Sequence, residues 1–208
     1  MKLWHCHNAR SLRPLWALEE MGLEYDLELL PFPPRVFQKE FLSINALGTV
    51  PYFEDEEIKM TESTAICHYL VERYNKHKFG LKPEHPEYGE YLNWLYHADA
   101  TLTFPQTIYL RYTHLEQDHR KLPQAAEDYA KWFIARLRKL DAHIVDREFL
   151  CDKRFTIADI AIGYALHLGQ SLGLDENYTE QVKNYLNRLQ QRLAFKKVVG
   201  IGKEQSPF

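Results

Sequence analysis

Three short segments of this sequence contain residue types that could do chemistry or bind a small ligand. Residues 6 to 11, Cys-His-Asn-Ala-Arg-Ser, place a thiol, an amide, a guanidinium and a hydroxyl in one predicted turn. Amide, guanidinium and hydroxyl groups donate hydrogen bonds. Val50-Pro51 and Glu62-Ser63 follow later in the chain. We expect the first pair to offer backbone hydrogen-bonding groups and the second to open a helix, whose free N–H groups attract a carboxylate.

The segment from 45 to 66 must position the last two pairs. Its pattern predicts a turn at Gly48, a two-stranded hairpin that starts at Pro51, and a helix with Ser63 as its N-cap. Within sheets, proline is confined to edges, strand starts and bulges, because it cannot donate to the ladder. A cis Val50-Pro51 bond would turn the Val50 N–H and C=O towards a ligand. A backbone edge beside an anion pocket is what a short acidic peptide needs.

The rest of the first 78 residues alternates strands and helices. Apolar periodicity and helix-breaking residues predict, in order, strand 2–5, helix 10–21 ended by Gly22, strand 24–30, short helix 36–43, the hairpin, and helix 64–77. A strand, a helix and a second strand in succession predict parallel pairing of the two strands.

The second half of the chain is predicted to be helical throughout. Residues 79–86 contain a glycine and two prolines, which indicates a linker. Residues 87–208 follow helical periods, which predicts an all-α domain. Pro105 should kink or end the helix in which it falls. Thr156 and Asp159 are spaced as in a helix capping box, so we assign them to folding rather than chemistry.

The composition is typical of a globular protein, with 45% hydrophobic and 26% charged residues among 208. A net charge of −3 argues against nucleic acid or an anionic membrane surface as the main partner. Three cysteines without a C-x-x-C motif favour a reducing, cytoplasmic location. We find no transmembrane or signal-peptide pattern. His5 and His7 lack a third ligand at metal-binding spacing, so we expect no metal.

The combination of Val50-Pro51 with Glu62-Ser63, separated by a hairpin, resembles the glutathione-binding motif of the cytosolic glutathione transferases. The resemblance extends over nearly the whole chain. It implies a thioredoxin-like α/β domain of order β-α-β-α-β-β-α over residues 1–78, followed by the all-α domain over 87–208. It also implies a cytoplasmic homodimer that uses glutathione as a co-substrate, without a further cofactor, and joins its thiolate to small apolar electrophiles in detoxification.

The resemblance assigns glutathione contacts to individual positions. The Val50 backbone would pair with the cysteinyl part of glutathione, beside Pro51, while Glu62 and Ser63 would hold the γ-glutamyl end. Other positions implied are Gln38 or Lys39 for the glycyl carboxylate, Asp99 for the glutathione amine across a dimer interface, and Tyr96, Phe104, Tyr109 and Tyr112 for the wall of the second-substrate site. Each of these last residues has a structural alternative, as an exposed helix residue or a core aromatic.

The group that activates the thiol is not defined by a family pattern. Family classes use Tyr, Ser or Cys in the turn after the first strand, whereas this chain has Asn8, Arg10 and Ser11 as candidates, in the order Asn8, then Ser11 and Arg10. The Cys of the bacterial beta-type enzymes aligns with Arg10. Cys6 carries a thiol, but a cysteine at a strand end is by default a small buried apolar residue. Two alternative functions therefore stay open: a glutathione-dependent disulfide reductase or peroxidase, and a non-catalytic binding or scaffold protein.

Overall fold

A computed structural model describes residues 1–205, which belong to two compact units. Of these residues, the first unit contains 1–80 and 190–205, and the second contains 81–189. The helical period alone assigns residues 190–205 to the helical domain. In the structure they pack with the first unit instead, through contacts described below.

The strands and helices follow the order expected for a small α/β unit and then a helical one. They are β1 (Lys2–His5), α1 (Leu12–Met21), β2 (Asp26–Leu29), α2 (Pro34–Phe37), β3 (Tyr52–Asp55), β4 (Ile58–Met60), α3 (Ser63–Arg73), α4 (Tyr88–His97), α5 (Phe104–Leu110), α6 (Pro123–His143), α7 (Ile157–Ser171), α8 (Glu180–Gln190) and α9 (Leu193–Val198). Short 3₁₀ turns occur at Lys39–Ser43, His77–Phe79, Asp118–Arg120, Asp175–Asn177 and Lys203–Gln205.

The sheet of the first unit has the strand order β2-β1-β3-β4. β1 pairs with β2 in parallel, which confirms the prediction, while β3 is antiparallel to both β1 and β4. The chain can return from α1 to β2 because Gly22 adopts a left-handed conformation (φ 61°), and the N–H of Leu23 bonds to the C=O of Leu18 at 3.1 Å. Because β1 is a central strand, its last residue, His5, is 1% exposed.

Several boundaries in the first unit differ from the sequence prediction; the helix expected at 64–77, for example, ends at Arg73. The single helix expected at 36–43 is wrong, because Gln38 has a non-helical φ of −142° and separates α2 from the 3₁₀ turn that follows. The prediction that Ser63 caps α3 is also wrong: Glu62 occupies the extended position before the helix, and no side chain caps it. Ser63 is therefore the first helical residue, and its hydroxyl is not used for capping.

The second unit is helical, as predicted. α4 continues through a π-helical segment, Ala98–Thr103, into α5, so the helix is wider in the turn just before Pro105. Pro105 lies in the first turn of α5, where its missing N–H costs little.

The predicted capping box at the start of α7 is confirmed. The Thr156 N–H donates to the Asp159 carboxylate at 2.8 Å, and the Ala158 N–H donates to Thr156 Oγ1 at 3.3 Å. Asp159 is fully buried and also accepts hydrogen bonds from the Leu150 N–H at 3.0 Å and the Tyr185 hydroxyl at 2.8 Å. This carboxylate therefore joins α7, α8 and the preceding loop.

Candidate functional site

The turn between β1 and α1 contains the residues expected to activate a thiol. It is closed by a hydrogen bond from the Ala9 N–H to the Cys6 C=O at 3.2 Å. Asn8 has a positive φ of 54° and is 8% exposed, whereas Arg10 is half-buried. Asparagine is among the few residues that tolerate this left-handed conformation. Asn8 therefore bends the chain at the position that the sequence favoured for thiol activation.

Ser11 holds this turn from inside. It is fully buried, and its Oγ lies 2.9 Å from His5 Nδ1 and accepts a hydrogen bond from the Cys6 N–H at 3.3 Å. Burial lowers the pKa of His5 to about 4, so its imidazole is neutral at physiological pH. The Ser11 hydroxyl is thus engaged by the protein.

Cys6 behaves as a small apolar residue. It is 1% exposed and packs in a cluster with Trp4, Ala9 and Tyr52, against which Val50 also packs. Burial raises the pKa of the Cys6 thiol to about 12, so the reactive thiolate is not populated near neutral pH. The same cluster brings the β1–α1 turn and Val50 together.

The C-terminal segment, residues 190–205, packs along α1. The rings of Trp16 and Phe195 lie 4.8 Å apart in an edge-on contact, and Arg192 donates two hydrogen bonds to the Glu20 carboxylate at 2.6 and 2.8 Å. No local sequence pattern predicts this packing, because the two residues of the ion pair are 172 positions apart in sequence. The helical period of residues 193–198 shows only that they form a helix.

Beyond α9 the chain reaches the β1–α1 turn. The Ile201 C=O lies 3.2 Å from His7 Nδ1, 194 positions away in sequence. Gly202 adopts a left-handed conformation (φ 75°) beside the backbone of His7. Burial lowers the pKa of His7, so its neutral form is favoured. The two histidines that suggested a weak metal pair therefore have structural partners on Ser11 and Ile201.

The start of α3 holds the second predicted binding element. Ser63 is 3% exposed, and its Oγ accepts a hydrogen bond from Arg13 Nη1 at 2.9 Å. Arg13, in the first turn of α1, is fully buried. The sequence did not mark Arg13 as a site residue, because an arginine on a helix is ordinarily exposed. Glu62, next to Ser63, is exposed.

Val50 and Pro51 lie at the entrance to β3. The bond between them is cis. The paired register of β1 and β3 ends at Tyr52, so the backbone N–H and C=O of Val50 are not used by the sheet.

The loop before Val50 is held by Asn45. Its side chain donates to the Thr49 C=O at 2.8 Å and accepts from the Leu47 N–H at 3.1 Å. Gly48 has a φ of 58°, and a Cβ there would lie 2.7 Å from the Cβ of Arg35. This loop therefore requires glycine at position 48 to deliver Val50.

The remaining predicted contacts in the first unit lie on the segment after α2. Gln38 is half-buried and Lys39 is exposed.

The other predicted residues belong to the second unit. Asp99 is half-buried within the π-helical segment after α4, and Tyr96 is 63% exposed. Phe104 is 48% exposed, and its ring packs 6.2 Å from that of Tyr129. The two further aromatic residues of the predicted wall are half-buried: Tyr109 and Tyr112.

Comparison with known proteins identifies the family of the N-terminal domain. Residues 1–72 match the family model of the glutathione S-transferase N-terminal domain. The chain is 28% identical to glutathione S-transferase 1 of Schizosaccharomyces pombe over 167 residues, which cover 76% of this chain and 71% of that protein. Residues 1–72 belong to the glutathione S-transferase N-terminal domain family, and most of the chain is similar to a glutathione S-transferase.

Two further proteins are similar to this chain over most of its length. A sphingomonad glutathione S-transferase, solved in complex with glutathione, superposes with a TM-score of 0.83 at 21% identity and covers 99% of this chain and 98% of its own. Elongation factor 1-gamma of Equus caballus is 30% identical over 162 residues, which cover 74% of this chain but only 35% of that protein. The likeness therefore includes both a transferase and part of a translation factor.

Neither a membrane-spanning helix nor a cluster of metal ligands is found among residues 1–205. No helix in this part of the chain has the length and apolarity to cross a membrane. In the same residues, no three His, Cys, Asp or Glu side chains converge as metal ligands would.

Proposed function

We propose that this protein binds glutathione and transfers its thiolate to the electrophilic carbon of a small apolar molecule. The observation that carries the proposal is the buried Ser63 hydroxyl at the start of α3. The first N–H groups of a helix have no partner within the helix and carry partial positive charge. A carboxylate such as that of the γ-glutamyl group is the natural ligand for this position.

The remaining glutathione contacts are proposed on the first unit. The Val50 N–H and C=O, outside the register of the sheet, would pair with the cysteinyl backbone. The exposed Glu62 carboxylate would receive the γ-glutamyl amino group. Gln38, which is half-buried, or Lys39, which is exposed, would reach the glycyl carboxylate.

Thiol activation is proposed for Asn8 and Arg10. A free thiol has a pKa of about 8.5, so a donor or a positive charge is needed to hold the thiolate at neutral pH. The Asn8 amide can donate a hydrogen bond to sulfur, and the Arg10 guanidinium can supply charge. Cys6, with a pKa raised to about 12 by burial, is unsuited to forming a mixed disulfide. This favours conjugation over a reductase reaction that depends on Cys6.

The second substrate and the assembly are proposed from the second unit. The partly exposed aromatic residues Tyr96, Phe104, Tyr109 and Tyr112 would supply an apolar wall. Asp99 would reach the glutathione amine of a partner subunit in a homodimer. A cytoplasmic location fits three free cysteines.

A second candidate is a glutathione-transferase-like scaffold without catalysis. Two observations favour it: the similarity to elongation factor 1-gamma, and the burial of Ser11, the one hydroxyl in the β1–α1 turn. In this case glutathione could still bind, but its thiol pKa would be unchanged.

Calorimetric titration with glutathione tests the binding proposal. Ser63→Ala should weaken glutathione binding roughly tenfold or more, because a buried hydrogen bond to a charged group is lost. Ser43→Ala is the matched control, since Ser43 is an exposed serine of the same unit. Absence of glutathione binding by the wild-type protein would refute the proposal.

Two further measurements separate the transferase from its alternatives. Ultraviolet absorbance of the bound thiolate should show a pKa below about 8.5 in the wild type and a higher value in Asn8→Ala. Turnover of a chloronitroaromatic should exceed turnover of a small glutathione-capped disulfide. Glutathione binding with an unshifted thiol pKa and no turnover would establish the scaffold instead.

A further inference from the structure

Arg13 lies between the first turns of two helices. It belongs to the first turn of α1, is fully buried, and places Nη1 2.9 Å from Ser63 Oγ at the start of α3. The Arg13 charge also acts on Cys67, one turn farther along α3. Burial raises the pKa of the Cys67 thiol to about 12, and the positive charge of Arg13 lowers it in part. Since Ser63 and Cys67 are four residues apart, they share one face of α3. The guanidinium therefore lies along this face.

The hydrogen bond from Arg13 determines what the Ser63 hydroxyl can do. A guanidinium only donates hydrogen bonds, so Ser63 Oγ must act as the acceptor. The hydroxyl proton is thereby left to point elsewhere. Among residues 1–205, Arg13 is the one hydrogen-bond partner of Ser63 Oγ. A buried donor without an acceptor is unfavourable, so this proton needs an acceptor from outside the chain.

The local charge selects an anionic acceptor. A cation near a helix N-terminus adds to the positive end of the helix dipole rather than cancelling it. Arg13 is near the N-termini of both α1 and α3, so its charge reinforces the positive potential there. A carboxylate oxygen that accepts the Ser63 proton would relieve both the unused donor and this positive potential.

We infer that Arg13 is a positioning residue that fixes the Ser63 hydroxyl as a donor to the α-carboxylate of the γ-glutamyl group. This inference rests on the proposed glutathione binding and adds a residue that does not itself touch the ligand. It predicts that Arg13 acts on the carboxylate only through Ser63.

The test is a double-mutant cycle combined with a change of ligand. Arg13→Met, Ser63→Ala and the double variant are titrated with glutathione and with γ-aminobutyryl-cysteinylglycine, which lacks the α-carboxylate. Arg13→Met should weaken glutathione binding about 10- to 100-fold, and the double variant should be no weaker than Ser63→Ala alone. Binding of the analogue should change by less than about twofold in each variant. Arg73→Met is the matched control, because it removes the same charge from the exposed end of α3.

The outcomes distinguish this inference from the proposed function. If wild-type protein does not bind glutathione, the proposed function fails and the inference with it. If the wild type binds but Arg13→Met binds glutathione equally well, the inference alone is wrong. Equal weakening of glutathione and the analogue, or additive effects of the two substitutions, would show that Arg13 acts structurally and would also overturn it.

A measurement on the wild-type protein covers the case in which Arg13→Met does not fold. The ¹⁵N resonance of the Arg13 guanidinium should shift when glutathione binds, because the Ser63 hydroxyl it contacts gains an acceptor. It should not shift with the analogue. An equal shift with both ligands would overturn the inference.

Discussion

Acid should destabilise the first unit through His5. This imidazole is 1% exposed at the end of the central strand, and Nδ1 contacts the Ser11 hydroxyl at 2.9 Å. Burial lowers its pKa from 6.5 to about 4. Above about pH 6.5 the histidine is neutral in both the folded and the unfolded chain, so it adds no pH dependence. As the pH falls below this value the unfolded chain takes up a proton, whereas the folded protein resists it.

The size of the effect follows from the two pKa values. A gap of about 2.5 pH units corresponds to about 3 kcal/mol, which is lost progressively between about pH 6.5 and pH 4. Between about pH 7.5 and pH 5, the free energy of unfolding should fall by about 2 kcal/mol through His5 alone. Other buried histidines add to the total loss, so the wild-type slope by itself does not isolate this residue.

Substitution isolates it. His5→Asn keeps a polar atom near the position of Nδ1 for the contact with Ser11 but cannot titrate. Urea unfolding followed by tryptophan fluorescence should show that this variant loses about 2 kcal/mol less than wild type over the same pH interval. Its stability at neutral pH is measured separately and does not enter the comparison.

His97 provides an independent test of the same reasoning in the second unit. Its pKa is lowered to about 4, first by burial and then by the charges of Lys139 and Arg136. His97→Asn should reduce the pH dependence by a similar amount, and the double variant with His5→Asn should combine the two reductions. If His5→Asn loses stability with acid as steeply as wild type does, the assignment of a buried neutral imidazole is wrong.

Three stability predictions follow from other contacts, each measured by urea unfolding. Glu20→Gln should cost about 1–3 kcal/mol, because it weakens two hydrogen bonds from Arg192, whereas Lys197→Gln, which breaks an exposed ion pair of the same segment, should cost less than about 1 kcal/mol. Equal costs would show that α9 is not held by Glu20. Asp159→Ala should cost about 3–5 kcal/mol, since several buried donors lose their acceptor; a loss below about 1 kcal/mol would contradict this. Gly48→Ala should cost at least about 1 kcal/mol, because the added Cβ combines a φ of 58° with a 2.7 Å approach to another side chain; an unchanged midpoint would argue against that loop geometry.

The binding half of the site could be predicted because its signals are local. A proline at a strand start, a glycine in the preceding turn and a polar pair before an apolar helix each constrain the backbone within a few residues. The parallel pairing of β1 with β2 follows from the helix between them. One local prediction was wrong by a single residue. Ser63 was expected to be the N-cap of α3, but Glu62 occupies that extended position and Ser63 is the first helical residue.

Contacts between distant parts of the chain could not be predicted from such patterns. Arg13 and Ser63 are 50 residues apart, and a single sequence contains no sign that the arginine turns inward to meet the serine. Ion pairs such as Arg192 with Glu20 are ordinary surface chemistry until the fold brings the partners together. The helical period of α9 predicts its shape but not the unit against which it packs.

The same distinction explains why the β1–α1 turn was difficult to interpret. Its residue types suggested Ser11 as a hydroxyl donor, but a hydroxyl can serve a ligand only if the protein leaves it exposed. The neutral His5 and the Cys6 N–H engage that hydroxyl inside the unit, and the Ile201 C=O holds His7 from the other end of the chain. These contacts fix the backbone around Asn8, so any thiol activation here depends on residues that lie almost two hundred positions away. Chemistry at this turn is therefore a property of the folded first unit, including its C-terminal segment, rather than of residues 6 to 11 alone.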